Sequence, residues 1–247
     1  RSLETGVKAH QAANQARQAD RWAFAQERHA GERPVDPWAP PRPRRPRILV
    51  IDAVTPTPDR DSGSISAFWF LRIFAELGYE VTFIPENLQL SGPYGQALQE
   101  LGVQVLHAPQ VRDIEGWLRA HAAGFDLFFL YRVTAGGRFA ALLRGLCPAT
   151  PMIFDTVDLH YLRAERAARL SGDAQELEAA RALKARETGL MELADDTVLV
   201  STAEREILRG EEGVAAPLSV IALVLEPRAA PAAREGRHGI AFVHIPK

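Results

Sequence analysis

Residues 47–85 read R-I-L-V-I-D-A-V-T-P-T-P-D-R-D-S-G-S-I-S-A-F-W-F-L-R-I-F-A-E-L-G-Y-E-V-T-F-I-P. The run 48–52 is apolar at every position until it ends in Asp52. That is the signature of a short strand covered on both faces. A polar loop follows, and 65–77 is strongly apolar at helical length, closed by Gly78 as a natural C-cap. Residues 80–84 then open a second apolar run. A strand, a helical connection and another strand favour parallel pairing, because a crossover of this length carries the chain back to the same end.

The alternation continues along the chain. The pattern predicts a helix near 94–101 closed by Gly102, a strand at 103–107, a helix over 113–123, a strand at 126–131, a helix over 136–146 and a strand at 152–155. A long helical region covers about 161–194, with a break near Ser171-Gly172-Asp173. Strands are expected at 197–200 and 218–223, a helix at 203–208 between them, and one more strand at 240–243. The fold class is therefore α/β: a doubly wound, mostly parallel, Rossmann-like sheet with helices on both faces. In such sheets ligands sit beyond the carboxyl ends of the strands. The loops after 52, 84, 107, 131, 155 and 200 are thus the places to look for function.

Composition sets outer limits. The 247 residues are 47% hydrophobic and 24% charged, with a formal net charge of −2, so nothing shows the basic excess typical of nucleic-acid binding. The one cysteine, Cys147, excludes an internal disulfide and a multi-cysteine metal site. No run approaches the roughly twenty apolar residues needed to cross a bilayer, and no secretion signal opens the chain. The expected location is the cytoplasm.

Ahead of the alternating region, residues 1–33 favour helix by propensity, with Trp22 and Phe24 as anchors onto something else. The Pro/Arg-rich stretch 34–46 forbids helix and sheet and reads as a semi-rigid spacer. Its arginines suit either a solvated linker or acidic lipid headgroups. The expected divisions are 1–33 as the helical tail of a preceding region, 34–46 as linker, 47–236 as the Rossmann-like domain and 237–247 as the start of a following one. The absence of Met at position 1 and the apolar run near Lys247 suggest a piece of a longer polypeptide.

The strand-end loops supply the candidates. Asp61-Ser62-Gly63-Ser64 precedes a helix, where free amides favour a phosphate and Gly63 allows close approach. A helix cap by Ser62 or Ser64 explains the same residues equally well. Neither a dinucleotide fingerprint nor a P-loop is present, which argues against an NAD-dependent dehydrogenase. Arg132 ends the fourth strand, placed either to clamp an anion or to form an ion pair. After the fifth strand, F-D-T-V-D-L-H gathers Asp155, Thr156, Asp158 and His160. A carboxylate and an imidazole there suit sugar hydroxyls, acid–base work or a leaving phosphate, whereas helix capping by Asp158 is the plainer reading. Metal ligation is a minor option. Ser201, followed by Glu204, reads first as a helix start. No G-x-S-x-G elbow occurs.

Taken together, R-I-L-V-I-D-A-V-T-P-T-P-D-R-D-S-G-S, F-L-R-I-F-A-E-L-G-Y-E-V-T-F-I-P-E-N, I-F-D-T-V-D-L-H-Y-L-R-A-E-R and V-L-V-S-T-A-E-R-E-I-L resemble the N-terminal, acceptor-side half of family 4-type glycosyltransferases. Such halves occur in multidomain bacterial surface-polysaccharide and O-antigen proteins. The resemblance implies one of two Rossmann-like domains facing across a cleft (the GT-B fold). It also implies retaining, metal-independent transfer from a nucleotide-sugar to a glycan or lipid-linked acceptor, with no cofactor and with peripheral membrane association as an option. Asp61, Ser62, Gly63, Ser64, Arg132, Asp155, Thr156 and Ser201 are the expected substrate contacts; by the resemblance the Gly63 loop approaches the donor's diphosphate or transferred sugar, and Asp158 or His160 faces the reacting sugar as the catalytic residue. Relatives carry T-x-H-D where this chain has T-V-D-L-H, so alignment on Thr156 puts Asp158 at the usual histidine position, and both candidates stand. The resemblance also requires a donor domain after this one, without which activity is not expected.

Residues 1–33 and the spacer resemble the tail after another transferase domain. The ending F-V-H-I-P-K resembles either the first strand of a donor domain or the phosphosulfate loop of sulfotransferases, with Lys247 on the phosphosulfate. Two other readings remain: a non-catalytic docking or glycan-binding domain, and an epimerase of the same two-domain fold.

Overall fold

The structure, a computed structural model, describes residues 44–210 and 212–224. Seven strands form one sheet: β1 (Arg47–Asp52), β2 (Glu80–Pro85), β3 (Gln104–Val105), β4 (Leu127–Tyr131), β5 (Met152–Asp155), β6 (Asp196–Leu199) and β7 (Leu218–Val220). Their spatial order is β3-β2-β1-β4-β5-β6-β7, and every pair is parallel. The helices are α1 (Ser62–Glu76), α2 (Gly92–Glu100), α3 (Ile114–His121), α4 (Ala140–Leu146), α5 (His160–Ser171), α6 (Ala174–Leu193) and α7 (Thr202–Gly210).

Strand alternation sorts the core into two layers. On β1, Ile48 and Val50 face one side with Val81, Phe83 and Phe129, and α1 covers them with Ala67, Phe70, Leu71 and Phe74. Leu49 and Ile51 face the other side with Leu130, Met152 and Phe154. Leu118, Leu143, Leu190 and Leu208 of α3, α4, α6 and α7 close that layer. The first layer is aromatic: Phe129 stands 5.4 Å from Phe70 and 5.1 Å from Phe74 between ring centroids. Strands buried on both faces explain why their sequences show no polar alternation.

The chain steps from β1 outward to β3, then returns to β4 on the other flank of β1. The loops after β1 and β4 therefore diverge at the carboxyl edge and leave a crevice between them. Element positions agree closely with the expected pattern, and the break in the long helix falls at Gly172 (φ 71°).

Several edges differ. The strand expected over 103–107 is only Gln104–Val105, although the Leu106 N–H still reaches the Phe83 carbonyl at 2.8 Å. The strand expected over 218–223 ends at Val220. Both lie at the edges of the described sheet, where, among the described residues, one side has no partner to prolong the ladder. Gly136–Phe139 winds as a 3-10 turn before α4, and Ala122–Gly124 as another after α3. Of the spacer, Arg44 places its guanidinium on Asp126 at 2.7 Å. The helix expected over 1–33, residues 34–43 of the spacer, the strand at 240–243 and the 237–247 segment lie outside the described residues. Among the described residues no helix is long and apolar enough to cross a membrane.

Candidate active site

The crevice is organised around Arg132. This residue follows β4 in a left-handed conformation (φ 58°), and its N–H donates to the Asp155 carbonyl at 2.9 Å. The guanidinium donates to the Asp52 carboxylate, which is 2% exposed at the end of β1. Burial disfavours its charge, but the carboxylates of Asp52, Asp61 and Asp155, Asp52 foremost, together outweigh it and raise the Arg132 pKa. The ion-pair alternative for Arg132 is thus realised inside the protein.

Asp61 caps α1, accepting from the Ser64 N–H at 2.8 Å and from the Ser64 hydroxyl at 2.7 Å. The cap expected from Ser62 or Ser64 is therefore Asp61. Its extended backbone (φ −151°) aims the carboxylate at the first turn, and Ser64 answers it from inside that turn. Gly63 allows a close approach, and the chain itself uses it. A Cβ at this position would stand 2.6 Å from Arg132 Nη2 and 2.9 Å from Val157 Cγ1.

Across the crevice, Asp155 is 3% exposed, and its Oδ1 accepts the Val157 N–H at 2.8 Å. Burial pushes its pKa up to about 7. The neighbouring Asp52 carboxylate pushes the same way, while the Val157 N–H and Arg132 oppose. Val157 is left-handed too (φ 64°), a costly geometry for a β-branched residue. Thr156 is fully buried and turns into the sheet, its hydroxyl donating to the Val198 carbonyl at 3.2 Å. Ser62, Gly63, Asp155, Val157, Val200 and Leu223 line one open cleft.

Asp158 and His160 meet directly: His160 Nε2 lies 3.0 Å from Asp158 Oδ1, and Arg163 donates to Asp158 Oδ2 at 2.6 Å. Their side chains differ in access, with Asp158 36% exposed and His160 10%. Burial raises the pKa of Asp158, but His160, Arg163 and Arg132 together hold it below the usual carboxylate range. His160 Nδ1 is buried without a hydrogen-bond partner. His160, Arg163, Thr134 and Leu183 border a second depression beside the cleft.

Asp158 does not cap α5. That cap comes from Glu187 on α6, which accepts the His160 N–H at 3.3 Å and the Tyr161 N–H at 2.9 Å. Glu187 is fully buried, and burial pushes its pKa up to about 7 against the pull of those amides and His160. Ser201 does cap α7, its hydroxyl accepting the Glu204 N–H at 3.2 Å. Glu204 spreads its carboxylate onto the Val200 N–H at 3.2 Å and the Leu159 N–H at 3.4 Å.

The fold thus brings Ser62, Gly63, Arg132 and Asp155 together and places Asp158 with His160 beside them, whereas Thr156 and Ser201 are spent on structure. Sequence reasoning missed Asp52, Glu187 and Glu204 as partners. Asp52 carried a signal as the carboxylate ending a strand and Glu204 as the downstream glutamate of the Ser201 cap, whereas Glu187 carried none.

No protein-family model matches this chain, and no curated protein matches it. Among solved structures it is similar to sucrose-phosphate synthase from Thermosynechococcus elongatus, with a TM-score of 0.47 and 17% sequence identity. That match covers 72% of this chain and 48% of the other, so this chain spans about half the length of that structure.

Proposed function

We propose that this chain is the acceptor-side domain of a retaining, metal-independent glycosyltransferase that builds bacterial surface polysaccharide. The carrying observation is the Asp158–His160 pair, 3.0 Å apart at the carboxyl end of β5 and beside the Arg132 crevice. The motif resemblance of 47–64 and 152–165 supplies the reaction type. Asp158, the more exposed partner, accepts hydrogen bonds from sugar hydroxyls. His160 and Arg163 hold its carboxylate ionised and aimed. Arg132 and the first amides of α1 favour the donor's diphosphate. A nucleotide-sugar is then a substrate, and a second domain holds it. The acceptor is a glycan or a lipid-linked glycan in the cytoplasm, and a lipid-linked one would bring the work to the inner face of the cytoplasmic membrane.

The test is sugar transfer by the full-length protein from a set of nucleotide-sugars. Asp158→Asn or His160→Ala is expected to lower turnover by at least ~100-fold, the scale of a lost acid–base or positioning group. Full activity in both folded variants would sink the catalytic reading of this loop.

One observation favours a second reading, a non-catalytic docking or glycan-binding domain. Asp52 already neutralises Arg132, Asp61 already occupies the α1 N-terminus, and Gly63 makes room for the protein's own side chains. Glycan binding without turnover of any donor would support that reading.

A further inference from the structure

The segment 156–161 carries both catalytic candidates, yet its backbone makes few bonds to its own elements. Four of its six N–H groups are held by carboxylates from three separate places. Asp155 at the end of β5 takes Val157 at 2.8 Å, Glu204 of α7 takes Leu159 at 3.4 Å, and Glu187 of α6 takes His160 at 3.3 Å and Tyr161 at 2.9 Å. Leu159, the residue preceding α5, makes no side-chain cap of its own. Helix starts are ordinarily capped by a residue within three positions, whereas Glu187 stands 26 and 27 residues from its partners.

We propose that Glu187 and Glu204 are positioning residues. They clamp the start of α5 from two neighbouring helices, and thereby fix the Asp158 carboxylate against His160 Nε2. The inference rests on the proposed role of Asp158 and His160 for its functional meaning, but the clamp itself does not depend on it. Geometry supports a dedicated role. The glutamate is fully buried in α6, a helix otherwise mostly exposed, and its two oxygens are divided between two successive amides of another helix. An apolar residue at 187 would serve packing equally well and would leave those amides orphaned.

The test compares Glu187→Ala, Glu187→Gln and Glu204→Ala in the full chain by NMR. Amide exchange is read at 157–161 and at β1, together with the tautomer of the His160 ring. The clamp predicts faster exchange by tenfold or more at residues 159–161 in both alanine variants, with β1 unchanged. It also predicts a shift in the tautomer balance of the His160 ring, and glutamine at 187, which has one acceptor oxygen for two amides, is expected to restore protection only in part. Unchanged exchange and tautomer in Glu187→Ala would overturn the clamp. If Glu187→Ala does not fold, Glu204→Ala decides alone, by exchange at Leu159 and the His160 tautomer. A transfer assay on the same variants separates the two claims: a lost clamp with unaffected transfer refutes the catalytic reading of the loop and leaves the clamp standing.

Discussion

Two buried carboxylates contribute to the pH response of this molecule at the scale of single residues. Asp155 and Glu187 have pKa values pushed up to about 7 by burial, against about 4 when exposed. A folded-state pKa above the unfolded value means that the folded chain binds the extra proton between those two points. Stability is then greatest at and below the unfolded pKa and declines as pH rises through the folded one. Each group contributes a decline on the order of 3–4 kcal/mol between about pH 4 and pH 7. Asp155→Asn and Glu187→Gln each retain an acceptor oxygen while removing the ionisation. Urea unfolding at pH 5, 6 and 7 is expected to show a shallower loss of stability in each variant than in the parent, and the shallowest in the double variant. An equal slope in parent and double variant would mean that neither group titrates in this window. Thr156 makes the opposite point about single residues: a threonine in a polar loop reads as a ligand contact, but its hydroxyl is consumed by Val198.

At the scale of elements, the glycine pair after β4 has a structural job. A Cβ on Gly136 would run into the Ile51 carbonyl and stand 2.8 Å from the Tyr131 nitrogen and 2.9 Å from its oxygen. These are backbone atoms of β1 and β4 and have no rotamer by which to yield. Gly136→Ala is expected to cost about 3 kcal/mol, the upper end for overpacking. Gly145→Ala, in α4 with nothing within 4 Å, is expected to be neutral or to stabilise by up to about 1 kcal/mol. Denaturant melts of the two variants check both, and equal behaviour would refute the packing argument. The sequence shows these glycines and the elements around them, because hydrophobic period and C-cap glycines are local signals. It also shows Ser201 as a cap, since the serine and Glu204 are three apart. It does not show Asp61 winning the α1 cap over two adjacent serines, a contest settled by backbone direction. Nor does it show Glu187, whose partners lie on another helix and obey no spacing rule.

At the scale of the whole fold, the sheet divides the described residues into two core clusters that share its strands. Ile48 packs with Phe129 and the α1 aromatics, and Ile51 packs with Leu130 and the far layer. Both are fully buried on the same strand. This division was legible early, because a strand apolar at every position has to serve two layers. The strand order, and with it the location of the crevice between the β1 and β4 loops, was legible only by the general rule for doubly wound sheets. The crossovers that fix that order are long-range and leave no mark on local sequence. If the layers are independent, their energetics should add. Ile48→Val and Ile51→Val are each expected to destabilise by about 0.5–1.5 kcal/mol, and the double variant by their sum within about 0.5 kcal/mol. Equilibrium unfolding of the three variants measures this directly. A coupling above about 1 kcal/mol would mean that strain passes through the β1 backbone from one face to the other. The crevice residues Asp52 and Arg132 would then inherit it, since Asp52 is the next residue along that strand.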